Sequence, residues 1–257
     1  VDPTERFTEL LQREESDLPL DEACFLIAAH AHPNVDVDAR RAQLDALAAS
    51  LDASNGAELA SALFDDLGFA GNTIDYSDPE NSYLDAVLDR RLGIPITLSV
   101  LMMEVGRRRD IDVRGVGMPG HFLVVVGEGE WYDPFHGGRA LDYDGCVARF
   151  AELQDPAAFL PTFLAPVGPV AILDRMLANL QHSLIERAPA RAAWPTRLRL
   201  RIPGISPARR AELAALLGSL GQFSEAATEL DTVARDLPGS GSEQAAQAAA
   251  RFRARAN

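Results

Sequence analysis

Between Pro95 and Asp133 the hydrophobic pattern changes period once, and that change limits the folds open to this chain. From Pro95 a helix carries apolar residues around most of its circumference, including Leu98, Val100, Leu101, Met102 and Val105. Such a helix is buried on several sides. From Ile111 the spacing shortens to two. Ile111-Asp112-Val113-Arg114-Gly115-Val116 alternates as a half-buried strand does, and His121 to Val126 is the continuous apolar run of a central strand. Glu128-Gly129-Glu130 turns the chain, and Trp131 to Asp133 starts a third strand. Gly137-Gly138 turns it again, and Arg139 to Asp142 makes a short fourth strand. The expectation is an α+β fold, with a small antiparallel sheet and the Pro95 helix buried behind it.

Helical patterns flank this block. Asp2-Pro3-Thr4-Glu5 opens a first helix, with a capping carboxylate and proline at the first helical position. Further helices are expected from Asp21 towards His30, Ala39 to Leu51, and Ala57 to Leu67. Asn81-Ser82 is read as the cap of another, running through Leu84, Val87 and Leu88. Beyond the sheet, Asp144 to Leu153 and Val170 to Arg187 are helical, the second with a stripe of Ile172, Met176, Leu177, Leu180 and Leu184. Residues 188–207 hold four prolines and little periodicity, so they read as a linker. Ala211 to Leu220, Phe223 to Leu237 and Ser242 to Arg255 form a helical tail, residues 208–257. Its Leu-Leu-Gly…Ala-Ala spacing from Leu216 to Ala227, ending at Pro238, has the small-residue placement of one tetratricopeptide hairpin.

Charge and residue usage exclude several functions. The formal net charge of −14 repels phosphate backbones, so no nucleic-acid partner is expected. All 24 basic residues are arginine. Without lysine there is no Schiff-base chemistry and no P-loop. The arginine clusters at Arg90-Arg91 and Arg107-Arg108-Arg109 read as solvated helix ends. No apolar run reaches the roughly 18 residues of a membrane helix. The two cysteines, Cys24 and Cys146, give no disulfide framework, and with no secretory pattern at Val1-Asp2-Pro3 a cytoplasmic location is expected.

The chemistry-bearing residues sit on the sheet. His121 opens one apolar run and Asp133 closes the next, so adjacent strands can bring imidazole and carboxylate into hydrogen-bond contact. A base and its orienter are two members of a Cys-His-Asp acyl-transfer site. In papain-like folds the third member is a cysteine at the N-terminus of a buried helix, where the helix end lowers the thiol pKa. Here that segment reads Gly93-Ile94-Pro95-Ile96-Thr97-Leu98-Ser99 and holds no thiol.

The blocks Asn81-Ser82-Tyr83-Leu84, Arg91-Leu92-Gly93-Ile94-Pro95-Ile96-Thr97-Leu98-Ser99, Pro119-Gly120-His121-Phe122 and Asp133-Pro134-Phe135 with Gly138 together carry a resemblance. The chain resembles the Sir-B-type invasion-regulator family, a branch of the transglutaminase-like superfamily whose members often carry a tetratricopeptide-like tail. The resemblance runs from about residue 21 to 221. It implies a papain-like transglutaminase core at about residues 81–142, within a helical and transglutaminase-like region of residues 1–187. It also implies the Gly-Ile-Pro segment in place of the nucleophile. Asn81, Tyr83, Pro95, Pro119, Gly120, Phe122 and Phe135 would line the site. His136 is outside the shared pattern.

The other candidate nucleophiles differ in their surroundings. Cys24 lies among Phe25, Ile27 and Ala28 and reads as a structural thiol, and Cys146 follows the sheet in chain order. Thr97 and Ser99 lie in the first turns after Pro95, where hydroxyls ordinarily satisfy backbone amides. His121, Asp133 and His136 could also converge as two imidazoles and a carboxylate on a metal. The leading expectation is a noncatalytic module that binds a protein or peptide and needs no cofactor. The rivals are a hydrolase or acyl transferase using Cys24, Thr97 or Ser99 with His121 and Asp133, and a metal-assisted hydrolase.

Overall fold

The computed structural model describes residues 2–256, and the chain divides into two compact units, Val1–Met176 and Leu177–Asn257. The first unit begins with helices α1 (Pro3–Leu10), α2 (Leu20–Ala29), α3 (Val37–Ser50) and α4 (Gly56–Ala60). The last continues into a π-helical turn over Ser61–Asp66. Asp2 caps α1 as its sequence predicts, accepting from the backbone N–H of Thr4 at 2.7 Å and of Glu5 at 3.2 Å. Next come β1 (Ala70–Gly71), α5 (Leu84–Arg90), β2 (Leu92–Gly93) and α6 (Pro95–Arg108). β1 and β2 form a two-residue parallel pair, Gly71 facing Gly93, too short to leave a periodic trace in the sequence.

Four strands follow: β3 (Val113–Val116), β4 (Leu123–Val126), β5 (Glu130–Asp133) and β6 (Arg139–Leu141). They pair in chain order and antiparallel, with Val124 opposite Tyr132 and Asp133 opposite Arg139. Helix α7 (Tyr143–Ala151) comes next, and α8 (Pro169–Arg187) begins in this unit. The unbroken apolar run on β4 now has a cause: both of its faces are covered. Leu123 and Val125 pack with Val116, Met118, Cys146, Phe150 and Leu164, while α6 packs against β3 and β4. Gly106 permits that approach, because a Cβ there would lie 2.5 Å from Val113 Cγ2. Eleven of the fourteen residues of α6 are buried, as a helix apolar on most sides requires.

Within the arginine cluster at the end of α6, Arg108 is not solvated, while Arg107 is largely exposed. Arg108 has only a tenth of its side chain exposed and donates to Asp21 at 2.5 Å, Glu104 at 2.7 Å and Asp45 at 2.6 Å. Asp21 and Glu104 are themselves buried, so the cluster neutralises carboxylates that tertiary packing brings inside.

The second unit is wholly helical among its described residues. It holds the remainder of α8, α9 (Ala193–Arg199), α10 (Pro207–Ser219), α11 (Phe223–Asp236) and α12 (Gly239–Ala256). Residues 188–207, expected as a linker, instead contain α9, with Ala193, Thr196 and Leu198 buried. Pro189, Pro195 and Pro203 obscure that helix in the sequence, yet proline is tolerated at a first turn. Ser206 caps α10 by accepting from Arg209 N–H at 3.2 Å. Gly221, at φ +80°, turns the chain from α10 into α11. Gly218 leaves room for the Phe252 ring, which a Cβ would meet at 2.2 Å. Among the described residues no helix is long and apolar enough to cross a membrane.

Candidate functional site

His121 is set by a tight turn just before β4. Gly120 has φ +80°, a conformation glycine adopts without strain, and His121 N–H donates back to Met118 C=O at 3.1 Å. Arg175 of α8 clamps the same turn, its guanidinium donating to Met118 C=O at 2.9 Å and His121 C=O at 2.7 Å. It also lies over the Phe122 ring, 5.4 Å from the centroid. Gly120, and Phe122 through Arg175, thus act on His121 by fixing its backbone.

Asp133, at the end of β5, is fully buried. His121 Nε2 lies 3.0 Å from its Oδ1, and His136 Nδ1 lies 2.8 Å from its Oδ2. The backbone N–H of His136 donates to Oδ1 at 3.3 Å, so Asp133 also caps the short 3-10 turn Pro134–His136. Arg149 of α7 brings Nε to 2.9 Å from Oδ2, off the line of a hydrogen bond, and this contact is an ion pair. Burial alone would raise the Asp133 pKa. The hydrogen bonds and charges of His121 and His136 outweigh it and hold the carboxyl below its usual value. An ionised carboxylate only accepts, so each imidazole donates to it. The ring nitrogen of His121 left off the carboxylate is Nδ1, and that of His136 is Nε2.

The dyad lies near the N-terminal end of α6. The Pro134–His136 turn packs on both β1 and α6, and a Cβ on Gly71 would meet Phe135 C=O at 2.5 Å. Gly71 pairs with Gly93, which leads directly into Pro95. The phenyl ring of Phe135 stands edge-on to His121 with centroids 6.3 Å apart and edge-on to Tyr76 at 5.7 Å. Only 4% of His121 is exposed, whereas Tyr76 is half exposed and the neighbouring Ile74 projects almost entirely into solvent.

Asn81 does not cap α5; Tyr83 stands at that position. Asn81 is instead a buried brace. Its side chain accepts from Asn72 Nδ2 at 3.0 Å and donates to the carbonyls of Asp75 at 2.8 Å and Tyr76 at 3.2 Å. Its own carbonyl accepts from Thr97 Oγ1 at 2.7 Å. One residue therefore ties the loop carrying Tyr76 to the start of α6. Tyr83 is buried elsewhere, edge-on to His32 at 4.9 Å.

The candidate nucleophiles fall as follows. Thr97 Oγ1 is committed to backbone, accepting from Ile94 N–H at 3.1 Å while it donates to Asn81. Ser99 is fully buried on α6, and its hydroxyl has no hydrogen-bond partner. Cys24 sits 3.6 Å from Met176 Sδ, and burial first, then the charges of Glu104 and Asp21, push its pKa well up. Glu104 is nine residues beyond Pro95, about 13 Å along the helix, so Cys24 belongs to the opposite end of α6. Cys146 lies in the core beneath the sheet, and burial raises its pKa to about 12. Among the described residues no thiol or hydroxyl hydrogen-bonds the His121 ring.

His121, Asp133 and His136 offer ligand atoms within 4.8 Å of one another, a spacing a metal could use. The charge environment opposes it. Asp133 already accepts from two rings and a backbone amide, and the Arg149 guanidinium stands beside the oxygen a cation would need. Arg149 and Arg175 could not be singled out from the sequence, because each reaches the site from a helix far along the chain. His136 had a usable signal: it is three residues after Asp133 in a proline-led turn.

A UPF0162 protein of Xylella fastidiosa is 38% identical over 190 residues, covering 66% of this chain and 66% of the relative. A UPF0162 protein of Pseudomonas aeruginosa is 37% identical over 106 residues, 40% of this chain and 39% of that protein. F-box only protein 21 of Mus musculus is 31% identical over 129 residues, 46% of this chain and only 20% of that protein. The chain thus spans less than two thirds of these relatives' lengths. No solved structure matches significantly. The transglutaminase-like superfamily profile matches residues 34–178, which include the buried helix, the antiparallel sheet and the His121–Asp133 dyad. By that match, over more than half its length, the chain belongs to the transglutaminase-like superfamily.

Proposed function

We propose that this protein is a noncatalytic member of the superfamily that binds a protein or peptide segment. The observation that carries this reading is the state of His121: a sealed imidazole held by Asp133, with no nucleophile against its free nitrogen. Acyl transfer needs a nucleophile within hydrogen-bond reach of the base and a path for substrate. Exposed Ile74 and Tyr76 beside Phe135 suit contact with another chain instead. The dyad then works as a structural tie, joining β5, the His121 turn and α7 beneath that surface. The Sir-B-type resemblance, with its Gly-Ile-Pro segment, supports the same reading, and the tetratricopeptide-like spacing of the tail suits an interaction module.

The test pairs two measurements on the full chain. Peptide-library capture is expected to return sequences whose binding falls on Tyr76→Ala. Incubation with primary-amide peptides is expected to release no ammonia above the buffer rate. Robust ammonia release that disappears in His121→Ala, with no peptide captured, would reject the proposal.

One observation favours a second reading. The Ser99 hydroxyl is buried near the start of α6 without a hydrogen-bond partner, so it is not committed to the backbone as Thr97 is. Turnover lost in Ser99→Ala with stability intact would establish that alternative.

A further inference from the structure

The net charge of the chain conceals a division. Residues 1–176 carry thirteen arginines against thirty-one carboxylates, a balance of −18, while residues 177–257 carry eleven arginines against seven carboxylates, a balance of +4. The second unit also contains a groove of about 610 Å³ between its last three helices. Leu230 and Val233 of α11 form its floor, and Ala211 of α10 with Ala245 and Ala248 of α12 form its walls. Small wall residues leave it wide, and the Phe252 ring against Gly218 holds α12 to α10. Two arginines of α12, Arg251 and Arg255, also line the groove.

These two differ from most arginines packed nearby. Arg197 pairs with Glu225, Arg209 with Glu212, Arg210 with Glu229 and Arg253 with Asp231. Among the described residues neither Arg251 nor Arg255 has a carboxylate in ion-pair range, and Arg255 is held over the Phe223 ring at 4.5 Å. Unpaired guanidinium groups beside an apolar floor complement a ligand with one apolar face and flanking carboxylates.

We propose that this groove receives an acidic amphipathic helix from a partner protein. The apolar stripe of that helix covers Leu230, Val233 and the alanine walls, and its flanking glutamates or aspartates pair with Arg251 and Arg255. This deepens the binding reading above and rests on it, while adding a second surface with its own chemistry.

The test uses the full chain and two labelled synthetic helices of about 18 residues with the same leucine stripe, one flanked by glutamate and one by lysine. Fluorescence anisotropy is expected to show the glutamate helix binding at least about tenfold more tightly than the lysine helix, with affinity falling as salt rises. Arg251→Glu combined with Arg255→Glu is expected to weaken it about tenfold, and Ala248→Glu to abolish it, while circular dichroism stays unchanged. Arg251→Gln alone, at an exposed position, keeps the question open to measurement should the double variant misfold. Equal binding of both helices, or binding insensitive to the arginine variants, overturns the proposal. So does tighter binding of a single-stranded RNA oligomer, or self-association of the chain that the same variants remove. Captured peptides that depend on Tyr76 and not on Arg251 would sink this inference and leave the binding reading of the first unit standing.

Discussion

Replacing Asp133 by asparagine tests the site most directly, since the change conserves volume and removes only charge. The carboxylate has no solvent exposure and faces two imidazole donors, a backbone amide and the Arg149 guanidinium. A hydrogen bond to a charged group contributes about 1.5–3 kcal/mol, and breaking a buried ion pair from one side costs about 3–5 kcal/mol. Asparagine keeps one acceptor for His121. Its amide turns a donor toward His136 Nδ1 and Arg149, whose side chain is only 12% exposed. The expected loss is about 3–4 kcal/mol, read by urea unfolding at pH 7 with circular dichroism. Adding Arg149→Met to Asp133→Asn removes the stranded guanidinium and is expected to restore about 1–2 kcal/mol. The pH dependence has a definite sign. Because the Asp133 pKa is depressed in the fold, its contribution is complete above the unfolded value of about 3.9 and fades as pH falls through the lower folded value. The Asp133→Asn curve is therefore flatter than wild type across that acidic window. A loss below about 1 kcal/mol, or no recovery in the double variant, refutes the idea that Asp133 is a buried charge tie.

Three further outcomes are expected. Arg108→Met leaves Asp21 and Glu104 buried with weaker partners and should cost about 3 kcal/mol in denaturant melts, against less than about 1 kcal/mol for Arg107→Ala on its exposed side chain; equal effects would contradict the cluster. Cys146, with its pKa raised to about 12, and buried Cys24 should both resist iodoacetamide at pH 8 in the native protein and react on unfolding; rapid native labelling of either would revive a cysteine nucleophile. Gly120→Ala forces a side chain into φ +80° and should cost about 1–2 kcal/mol, with a shifted His121 imidazole resonance; an unshifted resonance means the turn does not set the ring.

The sequence alone determined the parts whose signal is local and periodic. Four antiparallel strands, the buried α6, the cap of α1 and the helices of the tail follow from spacing and turn residues that act over a few positions. His121 and Asp133 were legible for the same reason, since Asp133 ends β5 and His121 stands in the turn two residues before its neighbour β4, so the pairing of those strands brings the two close. Tertiary structure decided what depends on long-range approach. Arg149 and Arg175 reach the dyad from α7 and α8, and Asn81 turns inward to brace a loop where its local pattern indicated a cap. Arg108 becomes an interior cation because packing brings Asp21 and Glu104 to it, a contact no helix pattern specifies. Helix α9 arises inside a proline-rich stretch because buried apolar residues outweigh weak propensity. A periodic pattern records which face of an element is buried, while the identity of the group across from it is settled only when distant segments pack.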